Sequence, residues 1–132
     1  VTFAVRPDAT SGETIESLVS SCRAAGHDPG DAIPMSRRTP QGSVLDWRLT
    51  FPTMTHDGVV PFLIDWGGTP NPASSAPSGL QLGSLSGGTA DPATANTILA
   101  TLALPEFAQP LDRHSPGLRA DYHSIPTSTS GR

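Results

Sequence analysis

Residues 44–51 read VLDWRLTF, and this stretch decides the fold class. The side chains alternate between two kinds along the segment. The apolar positions are Leu45, Trp47, Leu49 and Phe51, and the polar positions are Asp46, Arg48 and Thr50. A period of two residues predicts a half-buried β-strand. A second apolar segment, residues 59–66, follows a loop, and Pro61 within it predicts an edge strand or a bulge.

A helix is predicted upstream of these strands, over residues 11–25. Ser11 is a plausible N-cap, four apolar residues repeat at helical spacing, and Gly26 suits the left-handed position that ends a helix. A strand is predicted before the helix at residues 1–5 and another after it at residues 32–35. Residues 37–42 read as a turn-rich joint. Residues 1–66 therefore predict a βαβββ module.

The pattern restarts in the second half of the chain. Residues 67–79 form a linker rich in proline and glycine, and residues 80–124 predict a second, partial βαβββ-like module. Its helix begins at Asp91, a capping residue followed by proline. Residues 125–132 predict a flexible tail. The fold class expected is α+β.

Composition excludes several classes of function. All eight basic residues are arginine, so the chain has no lysine for Schiff-base or P-loop chemistry. The formal net charge of −4 argues against a nucleic-acid partner. No segment is apolar enough for a membrane span, and the N-terminus lacks a signal-peptide pattern. A single cysteine, Cys22, excludes an internal disulfide. We therefore expect a cytoplasmic protein without membrane or nucleic-acid partners.

Five segments carry a resemblance to a known family: residues 35–42, 45–49, 61–67, 91–93 and 116–120. Together with the βαβββ order, they resemble glyoxalase-like domain proteins of the vicinal oxygen chelate superfamily. This superfamily includes glyoxalase I, extradiol dioxygenases and the bleomycin- and fosfomycin-resistance proteins. The resemblance implies a curved mixed sheet of the glyoxalase/bleomycin-resistance type that forms a cleft. A further module usually precedes the position of Val1, so the partner expected is a second copy in a homodimer or a missing N-terminal module.

The resemblance also implies a divalent metal held by the first and last strands of paired modules. Thr2 stands where the family often has histidine, and Asp65 is the candidate metal ligand on the last strand. Strand 80–85 offers only Gln81 and Ser84, so the ligand set is incomplete and the cofactor stays unknown. None of the four histidines has metal-site spacing, and each is expected at the surface.

The candidate ligand-binding residues are Arg37, Arg38, Asp46 and Arg48. We expect the helix to cover the Trp47 face of its strand, so that the opposite face, with Asp46, Arg48 and Thr50, lines the cleft. Arginines there could hold an anionic substrate through two parallel hydrogen bonds. The alternative is a structural ion pair, either Arg48–Asp46 or Arg38–Asp65.

Two functions from different classes follow from the resemblance. One is a metal-dependent lyase, isomerase or dioxygenase that binds a small polar or anionic organic molecule in the sheet-lined cleft. The other is a metal-free module that binds or sequesters such a molecule without catalysis, as resistance proteins do. A partial copy without function is a third reading. Catalysis is left open at this point.

Overall fold

The structure is a computed structural model, and it describes residues 2–112 and 114–126. Within these ranges the chain forms two α-helices, α1 (Ile15–Ala24) and α2 (Pro92–Thr101). The strands are β1 (Ala4–Val5), β2 (Ile33–Arg38), β3 (Val44–Leu49), β4 (Phe62–Asp65), β5 (Leu80–Thr89), β6 (Ala108–Pro110) and β7 (Gly117–Ser124). Helices and mixed sheets together confirm the predicted α+β class.

The first sheet has the strand order β1-β4-β3-β2. The outer strand β1 runs parallel to β4, and the other neighbours are antiparallel. With α1 between β1 and β2, this is the predicted βαβββ arrangement. Strand β2 is longer than expected, because Arg37 and Arg38 continue the pairing with β3 instead of entering the turn. The turn itself closes at Gly42, where φ is +89° and glycine is favoured.

The second sheet has the order β6-β5-β7, with β5 in the centre. The end of β5 pairs in parallel with β6, and most of its length pairs antiparallel with β7. The predicted linker contains a short 3-10 turn, Pro72–Ser75, that begins at Asn71. The predicted tail lies outside the described residues from residue 127 onward. The division into modules 1–66 and 80–124 stays a prediction.

Helix α1 begins three residues later than expected. Thr14, not Ser11, is its N-cap, because the Thr14 and Ser17 side chains each accept a hydrogen bond from the other residue's backbone N–H. Ser11 ends a short 3-10 turn that stops at Gly12, where φ is +77°. The C-terminal prediction is confirmed, since Gly26 takes a φ of +86°.

Both halves of the chain contribute to one hydrophobic core. The buried residues are Ile15, Leu18, Val19 and Cys22 of α1, Val59, Val60 and Leu63 around β4, Ala95, Ile98, Leu99 and Leu102 in and after α2, and Ala108 of β6. Phe3 packs on this core and meets Phe107 with ring centroids 5.9 Å apart. The two sheets are therefore joined through their helices. Neither helix in the described ranges has the length and apolar character needed to cross a bilayer.

Candidate functional site

Arg48 on β3 lies at the centre of a charge cluster. Its Nη2 atom is 2.8 Å from Oδ2 of Asp65 on β4, and its Nη1 atom bonds to Glu16 in the first turn of α1. Strand pairing places Arg48 directly opposite Asp65. The predicted pairs Arg48–Asp46 and Arg38–Asp65 are absent from the ion pairs of the described residues. Arg48 is instead shared between two other carboxylates.

The contact with α1 shows which face of the first sheet the helix covers. Because Arg48 reaches Glu16, the Arg48 face is on the helix side. Thr50, two residues further on, is only 1 % exposed. The prediction that α1 covers the Trp47 face is wrong. The physical reason is that α1 packs on β4, whose Leu63 fills the core from that side, so the apolar face of β3 is left half-buried.

The two tryptophans lie together on the opposite face. The Trp47 and Trp66 ring centroids are 5.4 Å apart, with an interplanar angle of 41°. Met35 stands across from Trp47 on β2. A repeated dipeptide marks this arrangement in the sequence, since each tryptophan directly follows an aspartate, Asp46 or Asp65. Neither ring belongs to the buried core, because the helix covers the other face of the sheet.

The four predicted ligand-binding residues do not converge on one point. Arg37 pairs with Leu45 and shares the Trp47 face by strand alternation, while Arg38, Asp46 and Arg48 alternate onto the helix side. Arg38 donates from Nη1 to the carbonyl oxygen of Gly42 at 3.2 Å, across its own turn. The structure therefore places these residues at separate positions, and their role in ligand binding stays a prediction.

Electrostatics around Arg48 favour fully ionised carboxylates. The hydrogen bond from Arg48 lowers the pKa of Asp65, and the backbone N–H of Gly67, 2.8 Å from Oδ1, lowers it further. The same guanidinium lowers the pKa of Glu16. With both partners negative, the single positive charge of Arg48 is more than balanced. A second anion would meet net negative charge here.

A surface cavity of about 510 Å³ opens over β2, β3 and the end of β4. We call it the indole cavity. Its lining residues are Pro34, Met35, Ser36, Asp46, Trp47, Arg48, Asp65, Trp66, Gly67, Gly68 and Thr69. The loop after β4 forms one wall, and the Asp46 backbone N–H donates to Thr69 Oγ1 at 3.4 Å. No ion pair of the described residues includes the Asp46 carboxylate, which strand alternation places on the helix side of β3, opposite to the Trp47 ring.

The residues present do not fit the divalent metal that the resemblance implies. Thr2 lies against a different cavity, of about 340 Å³, with Phe51 and Phe62. Its register with β4 puts it on the face opposite to Asp65. Both oxygens of Asp65 already accept hydrogen bonds. Within the described ranges, no three His, Cys, Asp or Glu side chains come together as a metal site would require.

Three further side chains considered in the sequence, His27, Cys22 and Ser84, lie outside the indole cavity. His27 is 6 % exposed, so the expectation of a surface histidine is wrong for this residue. Its Nε2 atom lacks a hydrogen-bond partner, and burial, with His56 nearby, lowers the pKa of its ring. Cys22 is buried on the apolar side of α1, which raises the pKa of its thiol. Ser84 donates to Asp121 at 3.2 Å and takes no part in the indole cavity.

Comparisons with known proteins agree with the topology. A family model described as a glyoxalase-like domain matches residues 1–103, which include the first sheet, both helices and β5. Searches of curated proteins and of solved structures each gave no significant match. The matched part includes every residue that lines the indole cavity. The chain belongs to the glyoxalase-like domain family, within the vicinal oxygen chelate superfamily.

Proposed function

We propose that this chain binds a small organic molecule in the indole cavity, through side-chain contacts and without a resident metal. The observation that carries the proposal is a cavity whose lining residues include two adjacent tryptophans, Trp47 and Trp66, together with charged residues of β3 and β4. A volume of about 510 Å³ falls within the usual range for small-molecule sites. Apolar rings beside a few polar groups are the common composition of such sites.

The charges at the cavity indicate the kind of molecule that fits. The charged lining residues are Asp46, Asp65 and Arg48, two of them negative and one positive. Arg48 is also bonded to Glu16, so it has little capacity left for an anionic ligand. Tryptophan faces attract organic cations, and a carboxylate strengthens that preference. The ligand is therefore a compact organic cation or a neutral molecule with hydrogen-bond donors, and an anionic ligand is disfavoured.

Binding without catalysis is the role that these residues support. A metal-dependent lyase, isomerase or dioxygenase needs ligands that surround one point, and Thr2 and Asp65 lie on opposite sheet faces. The cavity residues offer aromatic surface and hydrogen-bonding groups instead. This matches the sequestering role that the resemblance to resistance proteins implies.

Tryptophan fluorescence is a direct test, because both tryptophans of the chain line the cavity. Benzyltrimethylammonium and benzoate serve as probes of similar size and opposite charge. We expect saturable quenching or a spectral shift with the cation and a much weaker response to the anion. No saturable response to the cation, or tighter binding of benzoate, would contradict the proposal.

A pair of variants separates the cavity from the rest of the surface. Asp46→Asn removes the carboxylate without changing its size, and we expect it to weaken binding of the cation several-fold. Asp112→Asn is the matched control, since Asp112 is exposed and does not line the cavity. Equal affinities for both variants and the wild type would rule out a role for Asp46.

A further inference from the structure

Strand β7 forms one border of the second sheet. It pairs with β5 along one side, and in the described part of the chain no strand pairs with its other side. An uncovered strand edge presents backbone N–H and C=O groups that can pair with another strand. The edge of β7 is therefore a candidate interaction surface, separate from the indole cavity.

The residues along β7 are complementary to themselves. Residues 118–122 read LRADY, with Ala120 at the centre. In an antiparallel pair related by a two-fold axis at Ala120, each Arg119 stands opposite the Asp121 of the other copy. The same symmetry places each Leu118 opposite the other copy's Tyr122. Opposite charges and apolar pairs directly across a sheet both stabilise strand pairing.

The present surroundings of these side chains leave them free to form such a pair. Arg119 and Asp121 are both exposed; the ion pair between them is long, at 3.6 Å, and Asp121 also accepts a hydrogen bond from Ser84 of β5 at 3.2 Å. Tyr122 is 63 % exposed, and Leu82 across from it on β5 is 47 % exposed. Pairing two β7 strands would extend this apolar strip across both copies.

Charged residues on an edge strand often serve to prevent pairing. That effect requires like charges to meet when two copies approach, as would happen if positions 119 and 121 carried the same sign. Here the signs are opposite and symmetric about Ala120, so the antiparallel approach brings unlike charges together. The charge pattern favours self-association over its prevention.

We propose that two copies of this chain associate through β7, in antiparallel register about Ala120, to form one six-stranded sheet from two second sheets. None of the β7 residues lines the indole cavity. Failure of this proposal therefore leaves the proposed ligand binding unaffected, and failure of ligand binding leaves this proposal unaffected.

Charge reversal tests the register through the oligomeric state of the full chain, measured by sedimentation velocity over a range of concentrations. We expect the wild type to dimerise. Arg119→Asp and Asp121→Arg each place like charges opposite one another twice, so each should raise the dimer dissociation constant about tenfold or more. The double variant Arg119→Asp/Asp121→Arg restores unlike pairs and should recover dimerisation.

Mixing provides a second, stricter readout. When the two single variants are combined, both cross-strand pairs become complementary, so a heterodimer should form where neither variant alone dimerises. Far-UV circular dichroism checks that each variant is folded. A monomeric wild type at all concentrations, or single variants that dimerise as well as the wild type, would overturn the proposal. A double variant and a mixture that both stay monomeric would overturn the register.

Discussion

Replacing Arg48 with methionine separates a structural role for this residue from a ligand-binding role. The substitution keeps an unbranched apolar stem but removes the guanidinium that joins Asp65 on β4 to Glu16 on α1. If Arg48 holds the sheet and the helix together, its loss lowers the free energy of unfolding. If it serves chiefly to bind a ligand, stability is unchanged and only binding suffers.

The expected loss of unfolding free energy follows from the solvent exposure of Arg48 and Asp65. The side chains of Arg48 and Asp65 are 39 % and 27 % exposed, so their ion pair is only partly screened by solvent. A hydrogen bond between charged groups contributes about 1.5–3 kcal/mol when buried, and exposed ion pairs contribute about 0–1 kcal/mol. For this intermediate case we expect a loss of about 1 kcal/mol. In a chain of this length that lowers the Tm by roughly 3–5 °C.

The pH dependence gives an independent check. Arg48 lowers the pKa of Asp65 in the folded state below its ordinary value of 3.8, so the unfolded chain binds more protons between the two pKa values. The stability from this pair is present above about pH 4 and is lost as pH falls through the lowered pKa. The difference between wild type and Arg48→Met should therefore shrink in acid.

Urea unfolding followed by tryptophan fluorescence and circular dichroism measures both effects, and Asp65→Asn completes a double-mutant cycle. The two substitutions should be non-additive, because each removes the same ion pair. Equal stability of wild type and Arg48→Met at pH 7 would refute the structural role. So would a stability difference that stays constant down to pH 2, or full additivity in the cycle.

Three further predictions concern the rest of the molecule. His27→Gln should reduce the loss of stability between pH 7 and 5. Burial lowers the pKa of His27 in the folded state below its ordinary value of 6.5, so the unfolded chain binds the extra proton first and the wild type loses stability as pH falls below 6.5. The same dependence of Tm on pH in the variant and the wild type would contradict this. Leu99→Ala should lower the free energy of unfolding by about 3–4 kcal/mol. Because both halves of the chain share one core, it should also lower the urea midpoint of the fluorescence of the two tryptophans in the first sheet. An unchanged fluorescence midpoint would show that the two halves unfold separately. Adding Zn²⁺ or Mn²⁺ should leave the Tm of the wild type and of Asp65→Ala unchanged. A rise in Tm with metal that only the wild type shows would instead support a metal site at Asp65.

Local patterns predicted the elements of this fold well. The period-two alternation around Trp47 marked β3, and Asp91 followed by Pro92 marked the start of α2. These features depend on neighbours within one turn or one strand, so they can be derived from adjacent residues. The start of α1 was misplaced because Ser11 and Thr14 are both capping residues, and only hydrogen bonds to Ser17 distinguish them.

The candidate site depended on information that no local pattern contains. Alternation showed that Trp47 and Arg48 point to opposite sides of β3, but it could not show which side faces the helix. That choice was made by packing: α1 lies on β4 and buries Leu63, and the Trp47 side stays half-buried. The candidate site moved accordingly, from a set of arginines to a cavity whose lining residues include two adjacent tryptophans.

By itself, then, the sequence determined the α+β class, the βαβββ order of the first sheet, the absence of lysine chemistry and the family resemblance, because each rests on composition or short-range periodicity. The tertiary structure alone decided that Arg48 is shared by Glu16 and Asp65, residues 32 and 17 positions away. It also decided that Thr2 and Asp65 face opposite ways and that His27 is buried. Such contacts join distant residues, and only the packing of helix on sheet brings them together.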